Sequence, residues 1–265
     1  MYSTFQLAKK YLKYYTNASN GNGHGIHSPF LFEFIKFVLN DTKHYNVYDD
    51  AEKIRKQLLK NEDIIKVEDF GAGSAIIKTK KRKVSDIAAS SLKPKKYSKL
   101  LFRISQYYRT QHVLELGTSF GVTTAYLASA NNNPSVTTME GSVNIAAVAQ
   151  QNFAQLGLKN INTIIGDFEK TLAPYLKKSA KIDLAFLDGN HRKIPTLKYF
   201  EHILAESHDE TIFVFDDIHW SKEMEEAWEQ IKDHPSVTMS IDLFFIGIVF
   251  LRKDFKTKQH FTIRF

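Results

Sequence analysis

The stretch His112-Val113-Leu114-Glu115-Leu116-Gly117-Thr118-Ser119-Phe120-Gly121-Val122-Thr123-Thr124-Ala125-Tyr126-Leu127-Ala128 decides the fold. It opens as a short apolar strand, ends at Gly117, turns through residues 118–120, and enters a helix at Gly121 with Ala, Leu and Tyr on its packing face. A strand, loop and helix of this kind cradle a ligand. Glycine lets backbone come close, and the new helix offers unpaired N–H groups and the positive end of its dipole. The glycine spacing then selects among ligands. A dinucleotide fingerprint needs G-x-G-x-x-G, whereas here Gly117 and Gly121 flank three residues and follow an acid at Glu115.

Downstream, the pattern is strand then helix, repeated, which predicts a doubly wound α/β domain with helices on both faces of a parallel sheet. Strands are expected at 112–117, 135–140, 161–166, 182–188 and 211–216, with helices near 121–130, 142–156, 168–178, 193–206 and 221–233. A closing antiparallel hairpin is expected from 237–244 and 248–252, turning near Ile246 and Gly247. No internal repeat is visible.

Upstream, residues 1–20 read as a helix with a stripe of Phe5, Leu7, Ala8, Tyr11, Leu12 and Tyr15 beside lysines. A glycine-rich loop over 17–25 follows, and then Ser28 and Pro29 cap an apolar helix over 30–39. His24 and His27, in and just after that loop, are candidate ligands or substrate contacts, but no matching carboxylate stands nearby and such a pair is more often incidental. Residues 48–66 read as a charged helix. The segment Glu68-Asp69-Phe70-Gly71-Ala72-Gly73-Ser74 superficially resembles a second ligand loop, but no apolar strand of adequate length precedes it and the basic run 78–83 follows. It reads instead as a flexible basic segment folding over the site as a lid. A soft boundary near 90 separates a helical N-terminal extension, 1–90, from the ligand-binding domain, 91–265.

At 265 residues the chain is long enough for a substantial core. It has no cysteine, which excludes disulfide scaffolds, cysteine nucleophiles and thiolate metal sites. The lysines at 9, 10 and 13 argue against a signal peptide, and the longest apolar run is too short to span a bilayer. The expectation is a soluble, cytoplasmic protein with no membrane role. The net charge of +7 concentrates in 78–83 and in Lys93, Lys95, Lys96, Lys99 and Arg103. Basic runs are most often solvated surface, yet these adjoin the ligand module and suit an acidic substrate or a nucleic acid.

In open parallel sheets, ligands bind at the carboxyl ends of the strands. The second strand ends at Glu140-Gly141, a little over twenty residues past the first glycine, where an acid can accept both hydroxyls of an adenosine ribose. The third ends at Gly166-Asp167-Phe168, where Asp167 either caps the next helix or meets a ligand. Asp188 closes the fourth strand, and Asp216 and Asp217 close the fifth. Three carboxylates at adjacent strand ends repel one another unless a hard cation such as Mg²⁺ sits among them. On a regular strand Asp216 and Asp217 point to opposite faces, so both reach one ion only if the chain bends there.

Glu115-Leu116-Gly117-Thr118-Ser119-Phe120-Gly121 resembles motif I of the class I S-adenosylmethionine-dependent methyltransferases. The resemblance covers about residues 95–252 and implies a Rossmann-like, mostly parallel seven-stranded sheet whose last strand is antiparallel. It implies that the loop of Gly117, Thr118, Ser119 and Gly121 wraps the methionine part of the cofactor with Glu115 near its ammonium. By the same likeness Glu140 and Gly141 bind the ribose, and Asp167 and Phe168 the adenine side. The acids Asp188, Asp216 and Asp217 resemble the metal ligands of the cation-dependent O-methyltransferases, the catechol and caffeoyl-coenzyme A types and the macrocin-type sugar branch, with Asp188 also beside the cofactor. In the catechol type a lysine base stands where this chain has His191; in the sugar branch an Asp base stands where it has Asn190. The resemblance therefore implies O-methylation of a small hydroxylated acceptor, a sugar or a phenol, with His191 and Asp188 catalytic. Two other readings stay open: RNA methylation through the basic region 78–103, and a non-catalytic cofactor-binding protein whose N-terminal extension docks a partner or a second copy as a homodimer.

Overall fold

The computed structural model describes residues 1–23, 28–68, 81–130 and 133–265. His24, His27 and most of the lid-like segment lie outside these. In chain order the helices are α1 Thr4–Asn17, α2 Pro29–Phe34, α3 Asn46–Leu58, α4 Val84–Ser91, α5 Lys95–Tyr108, α6 Val122–Ala128, α7 Val143–Gln155, α8 Phe168–Leu176, α9 Lys193–Leu204 and α10 Lys222–Asp233. The strands are β1 Ile64–Lys66, β2 Lys81–Lys83, β3 His112–Leu116, β4 Ser135–Glu140, β5 Ile161–Ile165, β6 Ile182–Leu187, β7 Ser207–Asp216, β8 Met239–Asp242, β9 Ile246–Phe250 and β10 Gln259–Thr262. A π-helical turn, Ile35–Leu39, continues α2.

The chain divides into two compact units, 42–179 and 1–41 with 180–265. These cuts fall elsewhere than the boundary expected near 90. The reason is packing: Tyr48, Ile54, Val84 and Ile87 from the supposed extension share one core with Phe102, Phe120, Val122 and Tyr126.

In the unit 42–179, β3, β4 and β5 form a parallel ladder with Glu115 opposite Thr138 and Glu140 opposite Ile165. Every residue of the crossover helix α6 is buried. A small antiparallel pair, β1 with β2, stands apart from this ladder. The helix expected over 48–66 stops at Leu58, and Ile64–Lys66 is strand instead.

In the other unit, β6 runs parallel to β7, β7 antiparallel to β9, β9 antiparallel to β8, and β8 parallel to β10. The antiparallel hairpin is as expected, but its turn is not. The reversal occurs at Leu243–Phe245, with Phe244 at φ 71°, and Gly247 sits inside β9. Glycine at 247 is there for space: a Cβ would lie 2.6 Å from the Trp228 ring. Strand β10 adds to the seven strands expected, unannounced by any apolar run because its four residues are Gln, His, Phe and Thr. The fold is Rossmann-like α/β with a mostly parallel sheet, as the sequence led one to expect.

Candidate functional site

The loop after β3 is held in a conformation that its glycines permit. Gly117 has φ 104°, Ser119 φ 47° and Gly121 φ 77°. Gly121 is doubly required, since a Cβ there would stand 2.3 Å from the Phe153 ring. The N–H groups of Gly117 and Thr118 both donate to the Met139 carbonyl, fastening the loop to β4.

Glu115 is fully buried on β3. Thr124 and Thr138 both donate hydroxyls to its Oε2, the latter at 2.6 Å, while its enclosed Oε1 has no hydrogen-bond partner among the described residues. Because the single proton of Thr138 goes to Glu115, Thr118 donates to Thr138 at 2.6 Å. Burial pushes the Glu115 carboxyl up to about 7, the two threonines pull it back, and the charge of Glu140 adds to the rise. A buried carboxylate with one unfilled oxygen is a receptor for a cationic donor. The residues therefore fit an ammonium-bearing ligand such as S-adenosylmethionine.

Glu140, half-buried at the end of β4, accepts the backbone N–H of Ser119 at 2.9 Å through one oxygen and that of Ser142 at 3.0 Å through the other. A carboxylate has lone pairs for further donors, so ribose hydroxyls can add to these two. Gly141 follows it into the start of α7. Ser119 also meets Ser91 at the end of α4, Oγ to Oγ at 2.8 Å, a contact the sequence did not suggest. Asp167 caps α8, accepting the Glu169 N–H at 3.0 Å, and Phe168 begins that helix half-buried. Thr124, Thr138 and Ser142 were also missed, although a Thr pair inside the apolar strand β4 was a visible signal.

The basic run on α5 is partly internal. Arg103 is buried and Lys99 lies 4.4 Å from the centre of the Tyr48 ring. Burial and the neighbouring cations lower the pKa of both Lys96 and Lys99.

The strand ends of the other unit form a second group. Asp188 after β6, His191 three residues on, and Asp216 at the end of β7 bring one ligand atom each within 4.8 Å of one another. His191 Nε2 stands 3.6 Å from Asp188 Oδ1, and its ring lies 5.7 Å from that of Trp220. Asp217 is not one of the three. It bends the chain with φ 55° and donates its N–H to the Phe245 carbonyl. Two carboxylates and an imidazole suit a divalent cation, Mn²⁺ or a similar ion as well as Mg²⁺. His219 turns elsewhere: its nitrogens contact Asp242 at 2.8 Å and Glu225 at 3.1 Å, and its ring stacks on Phe244. Burial opposes its protonation, but the two carboxylates outweigh that and hold its pKa above the ordinary value.

Residues 114–218 match a family described as a methyltransferase domain. The chain resembles the O-methyltransferases within that class. A catechol O-methyltransferase of Niastella koreensis is 31% identical over 123 residues, 45% of this chain and 55% of that protein, so the chain spans about half the length of this curated relative. An SAH-bound methyltransferase of Podospora anserina aligns over 96% of this chain and 98% of its own, with TM-score 0.59 and 10% identity. An O-methyltransferase of Bacillus cereus in complex with SAH aligns over 80% and 93%, with TM-score 0.57 and 18% identity.

Proposed function

We propose that this protein is a cation-assisted O-methyltransferase using S-adenosylmethionine on a small, dissolved hydroxylated acceptor, a sugar or a phenol, in the cytoplasm. The observation that carries the cofactor reading is the enclosed Oε1 of Glu115 beside the Gly117 loop. Glu115 receives the ammonium, Glu140 the ribose hydroxyls, and Phe168 the adenine side. Asp188 and Asp216 would hold the divalent cation, with His191 beside them and Asp217 at the bend that follows β7. A divalent cation supplies stabilisation of a developing oxyanion. His191 would take the proton of an acceptor hydroxyl, and the Gly117 loop would hold the methionine part of the cofactor, which supplies the methyl group.

Calorimetric titration with S-adenosylhomocysteine, with and without Mn²⁺, on wild type and Glu140→Ala tests the cofactor half directly. Binding lost in Glu140→Ala supports it, and an acceptor screen among phenols and sugars follows. No heat in any condition removes the methyltransferase reading.

A further inference from the structure

Strands β6, β7, β8 and β10 all run in one direction, since β6 is parallel to β7, β10 is parallel to β8, and β7 and β8 are each antiparallel to β9. Their carboxyl ends therefore share one end of this unit, where Asp188 and Asp216 stand. Helix α1 is anchored at that end. Tyr14 Oη donates to the Ile263 carbonyl just past β10, and Tyr11 meets Phe244 edge-on at 5.1 Å in the turn after β8. Tyr2 Oη at 2.7 Å and Lys10 Nζ at 2.9 Å both donate to Glu225 near the start of α10. Lys10 Nζ also lies 4.4 Å from the centre of the Tyr2 ring.

Residues 217–221 link β7 to α10, and connections of this kind are the more mobile part of a ligand-binding end. Here they are pinned in turn. The Asp217 N–H goes to the Phe245 carbonyl, and His219 is held by Asp242 at 2.8 Å and Glu225 at 3.1 Å. Ser221 Oγ caps α10 by accepting the Met224 N–H at 3.2 Å. Between them, Trp220 donates its N–H to the Asp217 carbonyl at 2.9 Å and accepts the backbone N–H of Tyr2 at 3.0 Å on its own carbonyl. The half-buried Trp220 ring lies 5.7 Å from that of His191. One tie on this loop thus comes from the opposite end of the numbering, and it falls on the residue whose ring meets His191.

We propose that Tyr2 is a positioning residue for His191, acting through Trp220. The docked start of α1 sets the Trp220 backbone, and the Trp220 ring sets where the imidazole stands beside Asp188. That this placement serves methyl transfer rests on the reading above, whereas the placement itself does not. A purely structural α1 would support the packing around Phe244 without governing the His191 ring.

Nuclear magnetic resonance of the full chain carrying isotope-labelled histidine tests this. The His191 ring signal is the one missing from His191→Gln. Trp220→Leu is expected to move it, because the ring current of Trp220 is gone. Tyr2→Ala removes the ring and hydroxyl that hold residue 2 in place, and is expected to move the signal most of the way to its Trp220→Leu position, with a thermal melt verifying that the chain is folded. Lys10→Met takes the cation from Glu225 and from the Tyr2 ring; it is expected to move the signal part of the way, and it serves if Tyr2→Ala does not fold. Acrylamide quenching reads the same change from the other ring: Trp228 is buried, so added quenching in Tyr2→Ala belongs to Trp220. A His191 signal unmoved by Trp220→Leu overturns the proposal, and so does one unmoved in folded Tyr2→Ala and Lys10→Met alike. No cofactor, metal or acceptor enters the measurement, so a failed cofactor titration leaves this result intact, and the reverse holds too.

Discussion

The carboxylate of Glu140 at the end of β4 accepts the backbone N–H of Ser119 in the loop after β3, at 2.9 Å. One side chain thereby fixes the loop's shape and offers its remaining lone pairs outward. Replacing Glu140 by alanine is expected to weaken S-adenosylhomocysteine binding at least about tenfold, since hydrogen bonds to charged groups contribute about 1.5–3 kcal/mol each. Titration calorimetry at one pH reads this, and undiminished affinity would show that the loop needs no such clasp.

Glu115 makes the free protein sensitive to pH. Its folded carboxyl is raised from 4.5 to about 7. As pH climbs through that window the unfolded chain sheds this proton while the folded chain keeps it, so stability falls between those values and levels off above them. The loss is on the order of 3 kcal/mol. Urea unfolding at pH 5 and pH 8 should show it in wild type, and Glu115→Gln should shrink the difference between the two. A variant with the same pH response as wild type would mean that this carboxyl is not the source.

A cationic ligand on the same carboxylate reverses the preference. Affinity for S-adenosylhomocysteine should rise from pH 6 to pH 8 in wild type, with a proton released on binding, and stay level in Glu115→Gln.

Gly121→Ala is expected to cost about 2–4 kcal/mol, from left-handed backbone and from the contact with Phe153. Phe153→Leu in the same chain should recover part of it. Denaturant midpoints decide the matter, and a substitution without effect would mean that Phe153 swings aside freely.

For the second strand-end group, Asp188→Ala should weaken Mn²⁺ binding, followed by electron paramagnetic resonance, by about tenfold or more. His191→Gln should lower kcat by about 10²- to 10⁴-fold while leaving S-adenosylhomocysteine affinity unchanged. Full turnover in chelator, with no bound Mn²⁺, would sink the metal role.

The strand and helix pattern from 112 onward was legible because β3, β6 and the second half of β7 bury mostly apolar runs, and the boundaries of β4 and α10 fall within a residue of expectation. Short polar elements gave no such signal, which is why β10 and the β1–β2 pair were missed. Gly247 misled because glycine marks both turns and tight packing, and only the position of Trp228 tells them apart. At the candidate site, strand-end acids stood out by type. Their partners did not: Thr124 reaches Glu115 from the next helix, and that contact depends on how α6 is laid against β3.

One of the two compact units is built from both ends of the numbering, 1–41 with 180–265. During synthesis the residues of α1 emerge well before Glu225, Phe244 and Ile263, which fasten it. At about 5–20 residues per second, the intervening stretch takes on the order of ten seconds or more to translate. Throughout that interval α1 has neither its anchors nor its core, and its apolar side is open to whatever receives nascent chains.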